Sequence, residues 1–170
     1  DGDIHRISFG GLVGASIDGA GADSVAVATD GTSIYWTDYY DGVIRGASMT
    51  SPFTPFVVTD LGGSPGFGHV VVQDCYLYVV ANDGIYRAHT DGSDATPTKV
   101  VSKVSNSSDT DVAIGLAIDT DYLYYSDNGR VRRMPLAHVG NDTFAEDVAL
   151  VESPGEVAVD DTRVYWTGLG

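Results

Sequence analysis

Four tyrosines, Tyr35, Tyr78, Tyr124 and Tyr165, fall at separations of 43, 46 and 41 residues, and each sits in the same short context. "SVAVATDGTSIYWTDYYDGVIRGAS" starts at Ser24, "HVVVQDCYLYVVANDGIYRAHTDG" at His69 and "IGLAIDTDYLYYSDNGRVRRMPL" at Ile114. "EVAVDDTRVYWTG" starts at Glu156. A chain built this way must solve one packing problem several times over, so its fold has to be a repeat architecture.

The unit itself is made of strands. No window sustains a 3.6-residue apolar period together with helix start and stop signals. Short alternating runs are instead separated by Asp-Gly, Asn-Gly, Gly-Gly or Pro-Gly, the residues that supply positive φ in tight hairpins. Each unit opens on an apolar run (Val25–Ala28, Val70–Val72, Leu116–Ile118, Val157–Val159) followed by an aspartate (Asp30, Asp74, Asp119, Asp160). Such a run suits an innermost strand covered on both faces. The second strand carries the aromatic pattern, and the third follows the turn as "GVIRGAS", "GIYRAHT" or "GRVRRMP". A weaker fourth is expected near Phe56–Thr59, Thr98–Ser102 and Val148–Val151, as suits an outer edge. Four antiparallel strands in a unit of about 40–50 residues predict an all-β fold, a β-propeller with four repeat units.

The two ends complement each other. Residues 2–8, "GDIHRIS", align with the third strand Gly129–Pro135, and Leu12–Asp18 reads as a fourth strand. The stretch from Glu156 supplies a first and a second strand. The expected organisation is a single domain, 1–170, with units at 24–68, 69–112 and 113–155. The closing blade is shared between 156–170 and 1–23. Closure would remove two exposed sheet edges. The alternatives are an eight-blade ring made by a homodimer and a segment of a longer propeller; the opening Asp1-Gly2 reads as the start of a processed or excised segment.

Tyr35-Trp36-Thr37-Asp38 resembles the repeat of YWTD β-propellers, such as those of low-density-lipoprotein-receptor ectodomains, and the likeness extends over the whole unit. The other copies read Tyr78-Val79-Val80-Ala81, Tyr124-Tyr125-Ser126-Asp127 and Tyr165-Trp166-Thr167-Gly168. Secreted bacterial and algal propellers with "VAVDxxxVYWT" units are similar too. The resemblance implies a secreted or cell-surface propeller, and a fold of this kind does not by itself supply a function.

Composition narrows the partners. A formal net charge of -15, with 24 acidic residues against 9 basic ones, repels phosphate backbones and anionic lipid heads. Nucleic acid is therefore excluded as an expected partner, and no run approaches the roughly 18 apolar residues of a membrane span. The single cysteine, Cys75, lies among apolar residues and is expected to be a buried thiol.

Candidate chemistry is sparse. Trp36 and Trp166 are expected in the inter-blade core. Tyr39 and Tyr40 sit at a hairpin tip where the repeat needs no aromatic pair, so with Phe67 they are the candidate binding residues. The repeated arginines Arg6, Arg45, Arg87 and Arg133 are expected to pair with aspartates across blades. "DTDYLYYSDNG" is the richest acidic patch, and Asp119, Asp121 and Asp127 are candidate ligands for a structural calcium ion. Asn106 and Asn141 open N-glycosylation sequons. No His-Glu-x-x-His, Cys-x-x-Cys or Gly-x-Ser-x-Gly motif is present. The glycine run Gly62–Gly68 leads into a strand and so lacks the helix N-terminus of a phosphate cradle. His5, His69, His89 and His138 fall in different units with no ligand spacing; His69 and Glu156 each begin an inner strand, and one glutamate does not make a site.

The expected function is a non-catalytic extracellular module that contacts another protein or a glycan, alone or in a larger assembly. The alternatives are a lactonase-like, metal-dependent hydrolase with a central-channel carboxylate site and a lectin with repeated pockets.

Overall fold

The computed structural model describes residues 4–7, 14–17, 24–50, 53–63, 66–102, 115–127 and 129–168. Three four-stranded antiparallel sheets form its body. The first holds β3 (Ser24–Thr29), β4 (Ser33–Asp38), β5 (Val43–Ser48) and β6 (Phe56–Asp60). The second holds β7 (Val70–Gln73), β8 (Tyr76–Ala81), β9 (Gly84–His89) and β10 (Thr98–Ser102). The third holds β11 (Leu116–Ile118), β12 (Tyr122–Asp127), β13 (Arg130–Pro135) and β14 (Glu146–Leu150). Two-stranded sheets complete the set: β1 (Ile4–Ile7) with β2 (Gly14–Ile17), and β15 (Pro154–Val159) with β16 (Val164–Gly168). Every expected strand is present, each sheet is a simple meander, and the boundaries move by only a few residues.

The turn from inner to second strand explains the repeated aspartate. Asp30 Oδ1 accepts from the Thr32 and Ser33 N–H groups, while Oδ2 accepts from the Tyr35 hydroxyl at 2.8 Å. Asp119 does the same with Asp121, Tyr122 and Tyr124, and Asp160 with Thr162, Arg163 and Tyr165. An aspartate that satisfies two loop amides and fixes a strand tyrosine is turn chemistry. In the second sheet the turn is one residue shorter. Asp74 takes a positive φ of 54° there, and Cys75 stands at the tip, exposed. The expected buried thiol is thus corrected: a two-residue turn lifts its residues off the sheet.

The other end of the second strand has its own device. The threonine of the motif accepts a backbone bond from the inner strand: Ala26 N to Thr37 Oγ1 at 3.1 Å, and Glu156 N to Thr167 Oγ1 at 2.9 Å. Ser126 plays this part for Gly115 at 2.8 Å. A hydroxyl in place of a ladder carbonyl accounts for the register shifts between Ser24 and Val27 and between Pro154 and Val157.

Successive sheets pack face to face through one recurring contact. Tyr35 shares an apolar cluster with Val70 and Val79 of the next sheet, Tyr78 with Leu116 and Tyr125, and Tyr124 with Val157. Trp36 is fully buried beside Ala47 and packs with Ile4 of β1. These interfaces are the core, so the expectation that the second-strand aromatics are inter-blade wall holds for Trp36. Trp166 differs and remains 40% exposed.

The arginines pair within their own sheets, which corrects the expected pairing across blades. Arg133 binds Glu146 on the neighbouring strand at 2.7 Å and lies over the Tyr122 ring. Arg87 lies over Tyr76, and Arg45 reaches Asp41 at 3.5 Å in its own hairpin. A third-strand arginine lies directly beside second- and fourth-strand side chains, which makes the local partner the nearer one. The Arg6 side chain lies outside the described residues.

Candidate functional site

The β4–β5 hairpin carries the most distinctive surface feature. Tyr39 and Tyr40 follow β4 in the turn that leads to β5, with rings edge to face at a centroid distance of 5.4 Å. Tyr39 is 39% exposed and Tyr40 61%. Next to the pair in sequence, Asp38 is buried; Arg45 Nε stands 4.0 Å from its Oδ2, too far for a hydrogen bond, and neither atom has another hydrogen-bond partner among the described residues. The tip thus presents two amphipathic aromatic side chains in mutual edge-to-face contact, residues that give contact area at low entropic cost. Phe67 is no part of this surface. It is 3% exposed and packs in the cluster with Tyr35 and Ile44, so an aromatic in a glycine-rich loop proves to be core.

At the same end of the sheets, the structure joins two residues that sequence spacing left apart. His69 Nε2 lies 2.7 Å from Glu156 Oε1, with both side chains about half exposed. His69 precedes β7 and Glu156 lies in β15, two units apart. They meet because the inner strands converge and because the intervening unit has Gly115 at the corresponding position. A Cβ on Gly115 would overlap Val157 N and press on the Gly155 carbonyl at 2.6 Å. The signal was readable in the repeat alignment: Ala26, His69, Gly115 and Glu156 hold one register position, each just before the inner-strand residue paired with the second strand. The carboxylate fixes the imidazole orientation and leaves Nδ1 for another partner.

The acidic patch does not assemble. Asp119 is occupied by its turn, and although burial opposes its ionisation, the bonds from Asp121, Tyr124 and Tyr122 hold its carboxyl below the usual range. Asp121 precedes β12 and Asp127 ends it, so roughly 20 Å of extended strand separates them. Among the described residues no group of three His, Cys, Asp or Glu side chains is placed to hold a metal ion. A cleft of about 250 Å³ lies between the third sheet and β15–β16, lined by Asp119, Tyr124, Arg133, Asp160, Thr162 and Arg163. Asn141 is exposed, and its side chain accepts from the Thr143 amide and hydroxyl. Asn106 lies outside the described residues.

No protein-family model matches the chain, and no curated protein does. Solved structures do resemble it. A chain of the nidogen/laminin complex overlays 98% of this chain at a TM-score of 0.76 with 21% identity. The catalytically inactive H270A virginiamycin B lyase from Staphylococcus aureus overlays 98% at 0.71 with 13% identity. The computationally designed Ika4 protein overlays 86% at 0.63 with 12% identity. The fold is therefore that of a β-propeller. The chain spans 64% of the nidogen-complex chain and 56% of the lyase chain. Among the described residues no helix is long and apolar enough to cross a membrane.

Proposed function

We propose that the chain is a non-catalytic, extracellular binding module that engages another protein, or a glycan on one, through the face bearing Tyr39 and Tyr40. The exposed aromatic pair carries this reading. An exposed amphipathic pair is the residue type that dominates protein contacts, and the propeller repeat has no structural use for it. The likeness to a propeller crystallised in a nidogen/laminin complex supports a protein partner. The acidic balance favours a partner with a basic or neutral surface. The test is surface-immobilised binding to a panel of extracellular-matrix proteins, laminin included, and to a glycan array. Tyr39→Ala/Tyr40→Ala is expected to abolish capture and leave the melting temperature unchanged. Equal capture by the double variant would remove the tip from the interface.

One observation favours a second reading, in which the inner-strand face is a hydrolytic site. His69 oriented by Glu156 is a paired acid and base open to solvent. A lactone and ester panel, run with and without added divalent ions, is the assay. Turnover lost in both His69→Ala and Glu156→Gln would establish this reading, and a flat response over the whole panel would remove it.

A further inference from the structure

Each interface in the arc repeats one contact: the second-strand tyrosine of one unit against the apolar inner-strand residue of the next. Tyr35 meets Val70, Tyr78 meets Leu116 and Tyr124 meets Val157, and all six are 3–7% exposed. The repeat defines a fourth pair, Tyr165 and Val27, and it is unmade. Tyr165 is 47% exposed and Val27 57%. The same two flanks expose Val25 at 55%, Ile7 at 66% and Trp166 at 40%. Ile7 holds the register position of Ala47, Ala88 and Met134, which are at most 1% exposed. The edges match as well. Among the described residues β16 pairs only with β15 and would take a third strand on its other side, while β1 is a third strand paired only with β2.

We propose that a second copy of this chain docks head to tail on these flanks. β16 of one copy pairs with β1 of the other, Tyr165 covers Val27 of the other copy, and the two arcs close into one ring of eight units. The contact is heterologous and rotationally closed, so both copies use both flanks. Within the single chain the fourth contact stays open, with Tyr165 and Val27 each about half exposed, so the chain's own flanks do not meet and a second copy supplies each with its missing neighbour. The expected ladder follows from the other sheets, where Tyr35 faces Gly46 and Tyr124 faces Arg133. It sets Tyr165 opposite Arg6 and Val164 opposite Ile7.

The experiment combines solution mass with crosslinking. Sedimentation equilibrium on the unaltered protein is expected to give twice the 17.9 kDa of one chain. In a Cys75→Ser background, Ile7→Cys with Val164→Cys is expected to oxidise into a covalent two-chain species. Val27→Glu is expected to weaken association about a hundredfold or more while the far-ultraviolet spectrum is kept, because it sets an unpaired carboxylate in an apolar contact. A one-chain mass overturns the proposal. Crosslinks confined within single chains overturn it in favour of self-closure. A two-chain mass without the crosslink overturns it too, because the copies then meet elsewhere.

Discussion

The Tyr35 hydroxyl donates to Asp30 Oδ2 at 2.8 Å, and that bond, repeated by Tyr124 with Asp119 and Tyr165 with Asp160, ties the inner-strand turn to the aromatic strand in three of the units. Burial alone would raise the Asp30 pKa, but bonds from Ser33, Thr32 and Tyr35 outweigh it and hold the carboxyl at about 2. A lowered folded-state value stabilises the protein above the unfolded carboxylate range and loses that stabilisation as the pH falls through about 2. Urea unfolding is therefore expected to weaken between pH 4 and pH 2. Because Asp30 is exposed, the expected effect is only about 1 kcal/mol. Asp30→Asn should flatten that part of the profile; an unchanged slope would show that Asp30 is not its source.

Trp36 lies between the first sheet and β1 with no exposed surface. Trp36→Ala is expected to cost about 3–5 kcal/mol in equilibrium unfolding. Tyr40→Ala, at the neighbouring hairpin tip, is expected to stay within about 0.5 kcal/mol of the unaltered protein. Similar losses from both would contradict the division between wall and surface.

Gly115 lets β15 approach the third sheet and lets His69 meet Glu156. Gly115→Ala is expected to destabilise the fold by about 1–3 kcal/mol through overpacking. It should also move the His69 ring resonances in an NMR spectrum. Glu156→Gln should shift the same resonances at little cost in stability, since the pair is exposed.

Cys75 is exposed at its turn, and a native chain is expected to give one thiol equivalent with a disulfide reagent before any denaturant is added. Slow labelling that needs denaturant would put the thiol back inside.

Most of the fold was legible because its signals are local. The tyrosine period, the Asp-Gly turns and the alternating runs each state one strand or one turn, and repetition multiplies them. What misled were residues whose environment comes from another segment. Phe67 sits in a polar, glycine-rich loop, and only its packing against Tyr35 and Ile44 makes it core. Cys75 sits between apolar runs, and a turn one residue shorter than its counterparts exposes it. Arg45 and Arg133 find carboxylates within their own sheets and Arg87 an aromatic ring, because strand adjacency outweighs blade adjacency. The His69–Glu156 pair needs three units in register before it is visible. Tyr39 and Tyr40 were legible as surplus to the repeat, and the structure places both at the surface.

The sheets touch in sequence, each through its tyrosine and the next unit's inner strand. Cooperativity in such an arrangement passes from neighbour to neighbour. Within a single chain the sheet spanning β7 to β10 is the one packed between two other four-stranded sheets, so its amides should exchange with solvent last, and opening should advance inward from the two flanks. The same arithmetic frees the number of units in one chain from their design: a gene that duplicates or deletes one whole repeat reuses the tyrosine contact between neighbours, and only the closing contact between copies would have to be rebuilt.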